Sequence, residues 1–183
     1  ATAAIVEAVA AAIQELDLPL VVVDPVMVSK SGARLLDDDG IGMLRTELLR
    51  RALVVTPNIP EAEVLTGRRI QSIEDARAAA YEIHSQSGSA VVIKGGHAEG
   101  DQLVDLLFDG EMFTELQTAR IATRNTHGTG CTFASAIAAN LALGHSLVDA
   151  VVRGQAYVAG AIEHALSIGR GHGPLNHFWR IGS

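Results

Sequence analysis

A single cysteine, Cys131, is all the thiol chemistry in this chain of 183 residues. It can close no disulfide within the chain and no multi-thiolate metal site, which excludes a disulfide-stapled secreted fold and a zinc ribbon. Basic charge is also short, since 14 Lys and Arg against 21 Asp and Glu leave a formal charge of -7. That balance repels phosphate backbones and anionic lipid, so nucleic acid and membrane surfaces are poor partners. No run reaches the roughly eighteen apolar residues that span a bilayer, and the first residues lack the basic flank of a secretory signal. A soluble protein of the reducing cytoplasm is expected. The phosphate-binding loop Gly-x-x-x-x-Gly-Lys-Ser/Thr is missing, as is Gly-x-Gly-x-x-Gly after a strand, so Walker-type and Rossmann dinucleotide readings lack their defining loops. No His-x-x-x-His pair exists, and His172 and His177 stand five apart in a loop, which leaves a zinc hydrolase without support. His164, on the last helix, reads as a surface or packed histidine.

What is present is apolar material: 48% of residues are hydrophobic, enough for one sizeable core and one compact domain. Ile5, Val9, Ile13 and Leu16 recur at helical spacing in an alanine-rich segment without a strong cap. The chain opens at Ala1 in mid-pattern, and the expectation is that the natural protein extends upstream. Three short apolar runs, Leu20 to Val23, Leu53 to Val55 and Ala90 to Ile93, read as strands buried on both faces. Between them lie helices. One is announced by Asp37, Asp38 and Asp39 and carries Leu44, Leu48 and Leu49. The next has Pro60 and Glu61 in its first turn and stops at Gly67, and a third opens on a Ser72/Asp75 capping box and ends at Gly88. Leu103 to Phe108 and Met112 to Leu116 flank Asp109-Gly110, which signals an antiparallel hairpin at the sheet edge. Two long helices follow, one from about Gly128 to Gly144 and one from Ser146 to about Leu166, before a glycine-rich tail. The expected class is α/β, a mostly parallel sheet with helices on both faces.

In open parallel sheets, ligands bind beyond the carboxyl ends of the strands. Those ends deliver Asp24-Pro25, Thr56-Pro57-Asn58 with Glu61, and Lys94-Gly95-Gly96. Only two lysines occur, Lys30 and Lys94, each beside a serine-glycine or glycine-glycine pair in a setting suited to phosphate, although a solvated loop lysine has the same look. Asp24 and Glu61 suffice for Mg²⁺, which takes one or two carboxylates and keeps waters, and both are equally placed to cap turns and helix starts. The stretch Asn125-Thr126-His127-Gly128-Thr129-Gly130-Cys131 before a small-residue helix aims successive amides and a helix N-terminus at one spot. Such a turn stabilises charge developing on a transferring phosphoryl group. The same pattern also serves as a glycine-rich helix entry without a ligand. Cys131, in the first helical turn, is either a group whose thiolate is favoured there or a small packed hydrophobe.

Taken together, Asp24-Pro25-Val26-Met27-Val28 with Lys30-Ser31-Gly32, Thr56-Pro57-Asn58 with Pro60-Glu61-Ala62-Glu63, Ile93-Lys94-Gly95-Gly96-His97, Asn125 to Cys131, and Gly171-His172-Gly173-Pro174 resemble the hydroxymethylpyrimidine/phosphomethylpyrimidine kinases of thiamine biosynthesis. The resemblance runs over essentially all 183 residues. It implies a single ribokinase-like kinase domain over 1–183 that lacks the N-terminal strand and loop segments of the family, so that this stretch alone turns over poorly. It implies phosphoryl transfer from Mg·ATP to an aminopyrimidine alcohol and then to its monophosphate. By the same analogy, Gly128, Thr129, Gly130 and Cys131 form the anion hole, with Cys131 placed to take the hydroxyl proton. Asp24 and Glu61 act through Mg²⁺ and its waters, Asn58 supports them, Lys94 neutralises ATP phosphates, and Val26 lines the pyrimidine pocket. A homodimer is expected. Pyridoxal kinase and a non-catalytic pyrimidine-binding module are the competing readings.

Overall fold

The computed structural model describes residues 2–28, 34–96, 102–123, 127–166 and 173–180. They form two compact units, 1–117 and 118–183. The first is an α/β unit built on a five-stranded sheet of order β1-β2-β3-β4-β5. Its strands are β1 (Val22–Val23), β2 (Val54–Val55), β3 (Ala90–Gly96), β4 (Gln102–Phe108) and β5 (Phe113–Ala119). The first three pair in parallel, as their apolar runs predict, and β4 joins β3 antiparallel. The hairpin therefore edges the sheet. Asp109 Oδ1 closes its turn by accepting from the Glu111 and Met112 N–H groups at 2.9 and 2.7 Å.

One sheet face carries Val23, Val55, Val91, Ile93, Leu106 and Phe108 into the main core. Val54 and Val92, which alternate with them, are also fully buried, so the strands are buried on both faces. Helix α4 (Ile73–Ser87) lies on β3 and β4 through Ala76, Ala79 and Ala80, whose small side chains at helical spacing let backbone and sheet approach closely. Its capping box at Ser72 and Asp75 is formed as the sequence indicates.

Two expectations need correction. Helix α1 (Ala3–Glu15) forms, but it buries Val6 and Ala10 rather than the stripe of Ile5, Val9 and Leu16, which are 54%, 45% and 68% exposed. Periodicity marks an apolar face without saying whether a neighbour in the same unit covers it. The helix after Asp37 is also not uniform. It runs as α2 (Asp38–Met43), then a π-helical Leu44–Leu48 and a 3₁₀ turn Leu49–Arg51. The wider π turn carries Leu44 and Leu49, five residues apart, to the core together.

The second unit pairs α5 (Thr129–Ala142) with α6 (Leu147–Glu163) through Phe133, Ile137 and Leu141 on one side and Ala150 and Val151 on the other. The described part of the tail is not a loose loop. Asn176 N–H donates to Ala161 O at 3.0 Å, Tyr157 Oη donates to His177 O at 3.0 Å, and Trp179 stacks on His164 with centroids 5.2 Å apart. The indole lies flat over Gly160, where a Cβ would collide with its six-membered ring. Among the described residues, no helix is long and apolar enough to cross a membrane.

These contacts separate two glycines. Gly160→Ala forces Trp179 off α6 and is expected to cost about 1–3 kcal/mol in chemical denaturation. Gly42→Ala, at an exposed helical position with open space around the new methyl, is expected to stabilise by about 0.5–1 kcal/mol.

Candidate functional site

The carboxyl ends of the parallel strands meet because their hydrogen-bond ladder continues past the strands themselves. Thr56 N–H donates to Val23 O at 2.9 Å, and Lys94 N–H donates to Pro57 O at 2.8 Å. Asn58 and Lys94 thereby form a parallel bridge. On the other side of Lys94 the register with β4 shifts between Ile93 and Gly96, an irregularity that re-aims side chains. Asp105 Oδ1 holds the distorted backbone by accepting from Gly95 N–H at 2.6 Å.

The result is a contact between residues far apart in the chain. Lys94 Nζ lies 2.5 Å from Asp24 Oδ1, and the two side chains are only 16% and 11% exposed. The fully buried Thr56 donates its hydroxyl to the same Oδ1 at 3.1 Å. At that burial a charge is tolerable only when paired and hydrogen-bonded, and Asp24 is both.

Glu61 stands beside them at the start of α3 (Ile59–Thr66). Its carboxylate accepts from Asn58 N–H at 2.8 Å, while Asn58 Oδ1 accepts from Glu61 N–H at 2.8 Å. This reciprocal cap explains why Asn58 is an asparagine and fixes the Glu61 rotamer. Glu61 is 6% exposed. Burial, against the pull of the Asn58 N–H and of Lys94, holds its carboxyl above the ordinary glutamate value, and the neighbouring charge of Asp24 adds to the rise. Val26 is 39% exposed, and its N–H donates to Asp24 O at 2.8 Å.

Among the described residues, no group of three or more His, Cys, Asp or Glu is placed to hold a metal. The described residues therefore build no all-protein cage. The donor set of two neighbouring carboxylates, one of them costly to ionise without a cation, fits a hard divalent ion that keeps waters and shares phosphate oxygens. Asp24 and Glu61 are the residues that would hold it.

The glycine-rich turn belongs to the second unit. Gly128 caps α5 with φ +88°, while nothing lies within 4 Å of a Cβ built on it, so conformation rather than space calls for glycine there. Its carbonyl accepts from both Thr132 N–H at 2.9 Å and Thr132 Oγ1 at 2.7 Å. Thr129, Gly130 and Cys131 form the first turn, where backbone amides have no acceptor within the helix, and Cys131 is exposed. The preceding residue is strapped down by the tail, since His127 pairs with Pro174 and its N–H donates to Gly173 O at 3.4 Å. Lys30, Ser31, Gly32, His97, Asn125, Thr126, Gly171 and His172 lie outside the described residues.

The comparisons with known proteins point to kinases. A crystal structure of an ADP complex of Bacillus subtilis pyridoxal kinase superposes with a TM-score of 0.87 at 33% identity, over 99% of this chain and 67% of that one. That likeness makes the architecture ribokinase-like. The family model for phosphomethylpyrimidine kinase matches residues 1–176, and the chain belongs to that family. It is 46% identical over 174 residues to the hydroxymethylpyrimidine/phosphomethylpyrimidine kinase of Bacillus subtilis, covering 94% of this chain and 64% of that protein. It is 49% identical over 170 residues to a thiamine biosynthesis bifunctional protein of Geobacter sulfurreducens, covering 93% of this chain and 35% of the relative. The chain thus spans less than two thirds of these relatives' length.

The structure brings Asp24, Asn58, Glu61 and Lys94 together, as the strand-end argument expects. It gives Thr56, which the strand-end argument delivers to this edge without a role, a place as donor to Asp24. The signal was its position, one residue past a buried strand and level with Asp24. Thr56→Val removes a donor to a buried carboxylate and is expected to lower stability by about 1–3 kcal/mol, with Thr56→Ser recovering most of it in denaturant titrations. Glu61 generates a pH dependence of defined sign. Between the ordinary glutamate value and its raised native value, the folded chain holds a proton that the unfolded chain has lost, so stability falls as pH rises through that window. Glu61→Gln keeps the cap acceptor and is expected to flatten this fall, leaving the variant at least as stable as wild type at pH 7 in denaturation series across pH.

Proposed function

We propose that this chain carries the phosphate-handling machinery of an ATP-dependent kinase acting on 4-amino-5-hydroxymethyl-2-methylpyrimidine and then on its monophosphate. Family membership brings ATP use, and the observation that carries the site assignment is the buried cluster of Lys94, Asp24 and Glu61 at one strand edge. Phosphoryl transfer asks mainly for positioning and charge neutralisation, which a cation flanked by two carboxylates supplies once a divalent ion is shared with the phosphates.

In this reading, Asp24 and Glu61 would hold Mg²⁺ through its waters, Asn58 fixes Glu61, and Lys94 neutralises the nucleotide phosphates. Mg²⁺ when bound supplies neutralisation of phosphate charge. Gly128, Thr129, Gly130 and Cys131 stabilise negative charge on the transferring group, and Cys131 accepts the proton of the substrate hydroxyl as that oxygen bonds to the γ-phosphorus of ATP and the bond from that phosphorus to the bridging oxygen breaks, ADP leaving. Val26 contributes to the pyrimidine pocket. Residues 1–183 work as one kinase domain, in a cytoplasmic homodimer. Pyridoxal phosphorylation is the second reading, favoured by the likeness to the Bacillus subtilis pyridoxal kinase. Both ring alcohols present the same hydroxymethyl group to the same chemistry.

The test is made on the longer protein that contains this chain. Its kcat/KM for hydroxymethylpyrimidine is expected to exceed that for pyridoxal, the monophosphate is expected to be a second substrate, and EDTA is expected to abolish turnover. Preference for pyridoxal with no reaction of the monophosphate overturns the pyrimidine assignment. Cys131→Ser is expected to lower kcat by roughly 10²–10⁴ if the thiolate takes the proton. Retention of most turnover in both Cys131→Ser and Cys131→Asp would instead assign Cys131 to shaping the anion hole.

A further inference from the structure

Building on the nucleotide-site reading, we propose that Asp24 makes this site selective for metal-complexed over metal-free polyphosphate. It does so by occupying the lysine that a bare anion needs. Lys94 Nζ is 2.5 Å from Asp24 Oδ1, with both side chains mostly withdrawn from water. Among the described residues, Asp24 is the only ion-pair partner of Lys94. Thr56 fixes the acceptor oxygen from its other side, so the carboxylate does not swing away freely.

A metal-free diphosphate entering this site meets a cation whose charge is already cancelled, together with the carboxylates of Asp24 and Glu61. To engage Lys94 it must displace Asp24, leaving a carboxylate with little water to take over the lost contact. A divalent ion changes that exchange. Once it sits on the carboxylates, Asp24 has a new cationic partner, and the Lys94 ammonium is released toward the phosphates. Metal and polyphosphate therefore bind with positive coupling, and the coupling passes through the Asp24–Lys94 contact.

Glu61 provides the internal control. It lies in the same neighbourhood and carries the same charge, but its carboxylate is tied to the Asn58 N–H at 2.8 Å rather than ion-paired with Lys94. Removing either charge makes the site less repulsive to anions, whereas only removal at position 24 frees the lysine.

The experiment is calorimetric binding of ADP and of pyrophosphate, in Mg²⁺ and in EDTA, to the longer protein containing this chain and to its Asp24→Asn and Glu61→Gln variants. Wild type is expected to bind ADP about tenfold or more tightly with Mg²⁺ than without. Asp24→Asn is expected to bind metal-free ADP about tenfold more tightly than wild type and to lose most of the Mg²⁺ dependence. Glu61→Gln is expected to gain much less in EDTA. Equal tightening by both variants, or none by Asp24→Asn, overturns the proposal while leaving the nucleotide site standing. Should Asp24→Asn fail to fold, wild type alone decides, because equal affinity with and without Mg²⁺ overturns it. Absence of ADP and pyrophosphate binding by wild type in both buffers overturns the proposal together with the nucleotide-site reading.

Discussion

The contact between Lys94 and Asp24 joins side chains seventy residues apart, and the candidate site in the first unit is arranged around it. Neither charge is tolerable at this depth alone. Their meeting depends on parallel pairing of β1, β2 and β3 in register, because Asp24 directly follows β1 while Lys94 lies within β3, past the stretch that pairs with β2. A slip of one residue in β3 would send Lys94 to the opposite face and leave Asp24 buried without its counter-charge. The apolar strands and the polar edge thus specify one another. Burial of the valines fixes the register, and the ion pair penalises any other.

Around that pair, the remaining polar groups are each held by hydrogen bonds. Asn58 and Glu61 cap one another, Thr56 steadies Asp24, and Asp105 clasps the Gly95 amide where the β3–β4 ladder loses step. Groups held this way need little rearrangement when charge arrives, which is the property phosphoryl transfer requires of its surroundings. Glu61 is the costly member, since burial opposes its ionisation and a cation would relieve that cost.

Much of this was legible in the sequence because the signals are local. Ser72 with Asp75, Pro60 with Glu61, and glycines at 67 and 88 mark helix ends through signals spanning a few residues, and the structure ends its helices there. Short β-branched runs, two of them ending in Pro turns, marked the parallel strands, and the strand-end rule then selected Asp24, Asn58, Glu61 and Lys94. What was not legible depends on partners distant in sequence. The apolar stripe of α1 at Ile5, Val9 and Leu16 has the right period but is exposed, whereas Val6 and Ala10 meet the core. Thr56 reads as a turn residue until Asp24 is known to lie across from it. The π-helical turn at Leu44–Leu48 answers to a packing demand that no spacing rule encodes.

The tail offers a last case, since a glycine-rich ending gave no hint that Trp179 would lie against α6. That indole is the chain's one tryptophan. Intrinsic emission excited at the red edge therefore arises entirely from the second unit, next to the imidazole of His164. Far-UV dichroism, by contrast, sums over every helix in the chain. Comparing the two signals during melting gives a label-free way to learn whether 1–117 and 118–183 lose their structure in one cooperative step or in succession.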